Sequence, residues 1–289
     1  MTAPKADLAP PAVGPDSTPR RTEVGIARHP DASGLATSID GTRLAWEAFG
    51  DGSPTIVLLP SAPIVHSRQW KGQIAYLSRS WRVVTYDGRG NGLSDRPTDP
   101  AAYHDDRFVD DVAAVMDATA TDRAVLVGLC VDGVWRAIRT AVARPDRVLG
   151  ILAFAVGVPS LAPPPPHYIT ASASFEDELP AYESWQKLNR HHWRRDYADW
   201  VRFFFGQMNP EPHSSKAIDD AVDWSLDTSV EVMLARTEAT FTVPAEEVAA
   251  VTGLTTDQVA RIVRDIEGKR RAGRYLHHAP IVQGRATVT

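Results

Sequence analysis

The feature that most constrains the fold is an alternation of short apolar runs and amphipathic segments between about residue 35 and residue 157. The runs TRLAWEAFG, TIVLLP, WRVVTYD, AVLVGL and VLGILAFAVG are short and are bounded mainly by Gly, Pro or Asp. Most of the segments between them repeat apolar residues at the helical period of about 3.6 residues. Because helices that connect such strands bring them side by side in parallel, the pattern predicts an α/β fold: a mostly parallel sheet flanked by helices.

Changes in composition divide the chain into four predicted parts. Residues 1–25 are rich in Pro and Ala and lack an apolar run of signal-peptide length, so we expect a disordered leader. Residues 26–157 hold the α/β core. Residues 158–242 begin with a proline-rich stretch and become dense in aromatic residues, which predicts a helical lid. Residues 243–289 are predicted to be a helical tail that replaces the last strands of the sheet.

Charge and cysteine content narrow the class of protein. The net charge of -5 gives no general attraction to nucleic acid or to an anionic membrane. No stretch approaches the roughly 18 uncharged apolar residues that a membrane span needs. A single cysteine excludes an internal disulfide and a metal site built from several cysteines, which favours a reduced, cytoplasmic setting. We therefore expect a small-molecule substrate and neither a nucleic-acid partner nor a membrane.

Three stretches carry a resemblance to a known family. The runs TIVLLPSAP, VVTYDGRGNGLSDRP and VLVGLCVDG resemble, in this order, the alpha/beta-hydrolase superfamily over roughly residues 35 to 157. In the second run, glycines let the backbone turn, and we expect Asp87, Arg89 and Ser94 to hydrogen-bond within the loop. The resemblance implies an alpha/beta-hydrolase-like sheet with a helical lid. It also implies a nucleophile on a sharp turn from strand to helix.

The only cysteine lies in the third run. Residues 128–132 occupy the family pattern small-x-nucleophile-x-small, so the resemblance assigns the nucleophile to Cys130. The last place holds Asp132, and Gly133 follows one step late. The start of the following helix favours a thiolate, whereas Asp132 is expected to oppose it. Since free cysteines are among the most buried residues, packing is the alternative role.

The same resemblance implies an oxyanion hole next to the nucleophile. It assigns the two donors to the backbone amides of Val131 and Ala62, with Pro60 and Ser61 in place of the usual His-Gly pair. Three residues are predicted to border the substrate pocket: Ser61, His66 and Leu129. For His66, which precedes a predicted helix, a capping role is the alternative. Trp193, Tyr197, Trp200 and Phe204 recur at helical spacing and predict a packing seam of the lid.

The proton relay is the incomplete part of the pattern. The resemblance implies an acid and then a histidine after the nucleophile in chain order, but neither of the strands that would carry them is recognisable. His277 is the candidate base, and a surface role is its alternative. The sequence thus leaves open whether a relay exists.

The tail has its own resemblance. Residues 244–280 are similar to the extreme C-terminal segment of some bacterial ammonia-dependent NAD synthetases. The ATP-gripping loop Ser-Gly-Gly-x-Asp-Ser of that family occurs nowhere in the chain, so NAD synthesis does not follow. Residues 246–273 predict two helices joined near Thr252 to Thr255, and a basic cluster follows them. This helix-turn-helix pattern makes a DNA-binding tail a distant alternative.

The leading functional hypothesis is a cysteine-nucleophile hydrolase of small esters, lactones or thioesters. The alternative, from another class, is a catalytically inactive or truncated and fused remnant that acts as a binding or interaction protein. The sequence predicts no cofactor and no metal site. It leaves the substrate and the oligomeric state open.

Overall fold

The computed structural model describes residues 28–155 and 166–239, together with Thr255. The predicted leader and, apart from Thr255, the predicted tail lie outside these residues. His277, the two predicted tail helices and the similarity to NAD synthetases therefore stay predictions.

The described residues form one six-stranded sheet in the order β1-β2-β4-β3-β5-β6. Strands β4, β3, β5 and β6 are parallel neighbours, whereas β2 pairs antiparallel with both β1 and β4. The strands are β1 (Ala32–Thr37), β2 (Arg43–Phe49), β3 (Thr55–Leu58), β4 (Val83–Tyr86), β5 (Ala124–Leu129) and β6 (Val148–Phe154). The predicted mostly parallel sheet is confirmed.

Strand β1 is a strand that the apolar pattern does not reveal. Its sequence ASGLAT buries only Ala36 completely, and Leu35 is exposed. It exists as a strand because all its residues pair in register with β2, from Ala32 opposite Ala48 to Thr37 opposite Arg43. Pairing with a distant segment thus overrides weak local preference.

Helices cover both faces of the sheet and continue beyond β6. The helices are α1 (Lys71–Leu77), α2 (Asp105–Ala118), α3 (Cys130–Ala143), α4 (Pro166–Ala173), α5 (Arg190–Met208), α6 (Lys216–Ser225) and α7 (Val230–Glu238). Residues 166–239, which carry α4 to α7, are called the helical segment below. No helix of the described residues is both long enough and apolar enough to cross a membrane.

Side chains of β3 alternate between two apolar cores. Val57 packs with residues of α2 and α3 on one face, and Leu58 packs with Trp70 and Ile74 on the other. Successive residues of a strand point to opposite faces, so a strand buried on both sides reads as the continuous apolar run TIVLLP. The carboxyl ends of β3 and β5 are thereby held side by side.

The loop after β4 connects the sheet to several other parts. Asp87 accepts hydrogen bonds from the backbone N–H of Ser67 (3.1 Å) and of Leu93 (2.9 Å), and the Ser94 hydroxyl donates to the Asp87 carbonyl (2.6 Å). The expectation for Arg89 is wrong. Its guanidinium leaves the loop and donates to Asp111 (2.6 Å) and Asp40 (2.7 Å). Partners so far away in sequence are created by tertiary packing alone.

The helical segment packs around an aromatic cluster of its own. Trp193, Tyr197 and Trp200 of α5 are buried together, and the ring centroids of Trp193 and Trp200 are 5.7 Å apart. Asn189 caps this helix by accepting from the N–H of His191 (2.9 Å). Ile64, from the loop after β3, packs against the same cluster. The segment therefore rests on the loop that follows β3.

Candidate active site

The turn from β5 into α3 places Cys130 in a strained backbone conformation. Leu129 is extended, with φ -119° and ψ 138°, and Cys130 has a φ of +62°. Residues other than glycine rarely adopt this left-handed conformation, which costs on the order of 1–3 kcal/mol and clusters at functional sites. Cys130 is exposed, so the turn presents its side chain at the surface instead of packing it in the core.

Gly128 lets helix α3 begin this close to the strand. A Cβ on Gly128 would lie 2.4 Å from the carbonyl oxygen of Gly133 and 2.7 Å from the amide nitrogen of Val134. By contrast, a Cβ on Gly133 would meet nothing nearer than 3.5 Å, an ordinary contact. The aspartate at position 132 therefore does not prevent the sharp turn. The close approach depends on Gly128.

The loop after β3 lies against the first turn of α3. Its Pro60 carbonyl accepts a hydrogen bond from Arg136 of α3 (2.7 Å), and Leu59 N–H bonds to the Val127 carbonyl of β5 (3.0 Å). The Ser61 hydroxyl donates to the Gln69 side-chain oxygen (2.9 Å). These bonds hold the loop that carries Ala62 against helix α3 and strand β5.

His66 is completely buried at the end of the same loop. Its Nδ1 accepts a hydrogen bond from the backbone N–H of Arg68 (3.2 Å), and its Nε2 lies 3.4 Å from the Oδ2 of Asp227 in the helical segment. Asp87 lies on the other side, 4.0 Å from Nδ1. The ring thus connects the loop to the helical segment and is inaccessible to solvent.

Asp132 lies between two arginines. Arg236 of α7 donates to its Oδ2 (3.1 Å), and Arg136, one helical turn along α3, lies 3.9 Å from the same oxygen. Both arginine side chains are buried, and Asp132 is nearly so. The expected opposition of Asp132 to a Cys130 thiolate is therefore offset by neighbouring cations. The sequence does not reveal Arg236 in this role because it lies 104 residues away.

Burying the charged guanidinium of Arg236 costs free energy. Burial lowers the pKa of its guanidinium, and the charge of Asp132 acts in the opposite direction. Its guanidinium carbon also lies 5.5 Å from the ring centroid of Phe108, over which Arg136 stacks at 4.0 Å. Because desolvating a charge requires compensation, Asp132 and the aromatic face are the groups that hold this cation in place.

Tyr168 of α4 is a further group near Cys130 that the sequence does not reveal. Partial loss of water around the hydroxyl raises the pKa of its phenol, as do the negative charges of Asp132 and Cys130, while Arg236 lowers it, and 40% of the residue is exposed. The four side chains therefore share one electrostatic environment, although they come from three helices. No spacing in the sequence brings α4, α3 and α7 together.

A second histidine of the described residues that has a carboxylate partner lies within α5. His192 Nε2 is 2.9 Å from the Oδ2 of Asp199, whose Oδ1 accepts from Lys187 (2.7 Å). Hydrogen bonds to Lys187 and His192 lower the pKa of Asp199, although burial acts to raise it. Within residues 28–155 and 166–239, no three His, Cys, Asp or Glu side chains form a group that could hold a metal ion.

Comparisons with known proteins agree with this architecture. Residues 54–171 match the family described as alpha/beta hydrolase fold. The chain is 35% identical over 119 residues to a non-heme chloroperoxidase of Streptomyces lividans, covering 40% of this chain and 41% of that protein. It is 33% identical over 124 residues to a 2-hydroxymuconate semialdehyde hydrolase of a Pseudomonas species, covering 43% and 41% respectively.

Solved structures extend the likeness of the fold. An esterase from a Rhodococcus species has a TM-score of 0.56 at 21% identity, covering 71% of this chain and 72% of that one. At this identity the likeness concerns the fold alone. The chain spans about two fifths of the length of the two curated relatives named above.

Proposed function

Because the chain belongs to the alpha/beta-hydrolase superfamily, we propose that it hydrolyses small esters, lactones or thioesters with Cys130 as the nucleophile. The observation that carries the proposal is the φ of +62° at Cys130, on an exposed turn between β5 and α3. Strain of this kind persists only where the surrounding structure imposes it. Here it presents a sulfur at the carboxyl end of a parallel strand, where ligands bind in α/β sheets.

The proposed reaction has two steps. The Cys130 thiolate attacks the carbonyl carbon, and the backbone N–H groups of Val131 and Ala62 stabilise the negative oxygen that forms. The carbon–oxygen bond of the ester or lactone, or the carbon–sulfur bond of a thioester substrate, then breaks, and the leaving alkoxide or thiolate takes a proton from water, so that a thioester to Cys130 and a hydroxide remain. The hydroxide attacks this thioester, the carboxylic acid is released, and the Cys130 thiolate is regenerated.

The first step needs a thiolate. The N-terminus of α3 favours one, since the backbone N–H groups of the first turn carry partial positive charge. His66 is poorly suited to serve as a general base, because it is completely buried and its Nδ1 already accepts from Arg68 N–H. His277, the base that the sequence suggests, lies outside the described residues. We therefore assign the formation of the thiolate mainly to the electrostatic environment of the sulfur and not to a histidine base.

The second candidate function is binding without turnover. It is favoured by His66 and His192, because the bonds described above engage one ring with the core loop and the other with α5. In this case the exposed turn at Cys130 borders a pocket that holds a small molecule and does not cleave it.

Hydrolysis of p-nitrophenyl acetate tests the proposal. We expect a burst of nitrophenol followed by slower turnover, because a thioester accumulates, and we expect Cys130→Ala to lose at least about tenfold in rate. Arg202→Met, a change of an exposed residue on α5, is the matched control and should keep the wild-type rate. Equal rates for the wild type and Cys130→Ala would refute Cys130 as the nucleophile. Protection of Cys130 from alkylation by an ester that is not cleaved would instead favour binding.

A further inference from the structure

We propose that Arg236 is a positioning residue: by neutralising Asp132 from helix α7, it allows Cys130 to exist as a thiolate near neutral pH. The inference rests on the proposed function, in which the thiolate is the attacking species. It assigns to the helical segment a part in the chemistry at the turn between β5 and α3.

Asp132 follows closely after the turn that carries Cys130. It lies in the first turn of α3, two residues after Cys130, where the partial positive charge of the helix start acts on both side chains. A carboxylate in the same helical turn favours the thiol, because a second negative charge nearby is electrostatically unfavourable. With Asp132 alone, the advantage of the helix start would be reduced or lost.

Two arginines can compensate the negative charge of Asp132. Arg136 is 3.9 Å from Asp132, but it also donates to the Pro60 carbonyl. Arg236 makes the shorter contact, with 3.1 Å between its Nη2 and the Asp132 Oδ2. Since both arginines are buried, solvent screens their attraction to Asp132 only weakly. Arg236 is therefore the cation whose removal would most expose Cys130 to the charge of Asp132.

Two neighbouring helices, α4 and α2, also bring titratable groups to this site, Tyr168 and Asp105 respectively. Tyr168 of α4 lies close enough for the charges of Cys130, Asp132 and Arg236 to act on its phenol, which is neutral near pH 7. From α2, Asp105 faces Arg236 and accepts a hydrogen bond from the Trp135 indole (2.9 Å). Asp105 is thus a second negative charge that acts on Arg236. The net charge around Cys130 therefore depends on whether Arg236 stays in contact with Asp132.

Helix α7 is held in place by contacts away from the sulfur. Val232 and Ala235 pack with Tyr103 and Phe108 in a small apolar cluster. Arg236 is the next residue of the same helix. The packing of α7 therefore also places the Arg236 guanidinium next to Asp132. The reactivity of Cys130 then depends on α7 staying packed in this position.

Because Cys130 is the only cysteine, alkylation by iodoacetamide reports on it without further engineering. The thiolate displaces iodide, so the rate measured from about pH 5 to about pH 10 gives the ionisation of the thiol directly. Arg236→Met should move this profile to higher pH by about one unit, because only the more distant Arg136 then offsets the charge of Asp132. Asp132→Asn should move it to lower pH, and Arg236→Met combined with Asp132→Asn should return it close to the wild type.

Arg202→Met is the matched control, since it removes an exposed arginine of the helical segment and should leave the profile unchanged. An unshifted profile for Arg236→Met, with a melting curve like that of the wild type, overturns the proposal. If Arg236→Met fails to fold, Asp132→Asn decides, because an unshifted or raised profile also overturns it. Ester hydrolysis that survives Cys130→Ala refutes the proposed function but leaves the alkylation result standing.

Discussion

The carbonyl oxygen of Gly133 lies 2.4 Å from the place that a Cβ on Gly128 would occupy. This contact between the end of β5 and the first turn of α3 determines how closely the helix approaches the strand, and Cys130 lies between the two glycines. The geometry of the proposed nucleophile therefore depends on the absence of a single methyl group.

The first prediction contrasts these two glycines. Gly128→Ala should be strongly destabilising, by about 1–3 kcal/mol, because the added carbon meets backbone atoms that cannot move away as a side chain can. Gly133→Ala should be tolerated and gain up to about 1 kcal/mol from helix propensity, since its Cβ would have only ordinary contacts. Urea denaturation of the two variants measures the difference. Equal stabilities would contradict the backbone contact as the reason for Gly128.

The second prediction concerns acid stability. Hydrogen bonds from Arg89 and Thr42 hold the pKa of Asp40 at about 2, below its ordinary value of 3.8, even though burial raises it. Because the folded pKa is the lower one, this carboxylate stabilises the fold above about pH 4, and the contribution is lost as pH falls from about 4 to about 2. Asp40→Asn should lower the melting temperature at pH 7 but not near pH 2.

The exposed Asp51 provides the control for this prediction. Asp51→Asn should leave the melting temperature at pH 7 nearly unchanged, because surface substitutions away from specific contacts have small effects. A difference between the wild type and Asp40→Asn that stays constant from pH 7 to pH 2 would contradict the role of the ionised carboxylate.

The third prediction concerns the buried ion pair between Arg68 and Glu47. The two guanidinium nitrogens donate to the two carboxylate oxygens at 3.0 and 3.2 Å, and both side chains are buried. Arg68→Met should cost about 3–5 kcal/mol of unfolding free energy, because the buried Glu47 carboxylate would lose the guanidinium that binds both of its oxygens. Adding Glu47→Gln should recover much of the loss. Chemical denaturation of both variants checks this, and no recovery in the double variant would show that the pair does not act as a unit.

The fourth prediction concerns the start of α5. Asn189 accepts from the N–H groups of His191 and His192, and its own amide donates to the carbonyls of Ser174 and Asp177 at 2.8 Å each. Asn189→Ala should lower the stability by about 1–3 kcal/mol, since the helix loses its cap and the carbonyls of Ser174 and Asp177 lose a donor. Asn189→Asp keeps the cap and loses only the side-chain donors. Its melting temperature should therefore lie between those of the wild type and Asn189→Ala. An aspartate variant as unstable as the alanine variant would indicate that the cap contributes little.

Local pattern was sufficient for the central part of the fold. The apolar runs of β3, β4 and β5 are buried mostly on both faces, so composition alone distinguishes them as parallel strands, and the apolar run of β6 pairs parallel with β5 although much of it is exposed. The sharp turn at Cys130 could also be anticipated, because a strand, a glycine and a helix follow one another within a few residues. Strand β1 could not, since its short polar sequence becomes a strand only by pairing with β2.

The sequence by itself determined the parts whose physics is local: the periodicity of strands and helices, the turn at Cys130 and the loop that follows β4. Only the tertiary structure decided the charges around that turn. Arg89 leaves its own loop for Asp40 and Asp111, and Arg236 reaches Asp132 from a helix more than a hundred residues away. The physical reason is that electrostatic attraction depends on distance in space and burial, and neither is encoded in the spacing of residues along the chain.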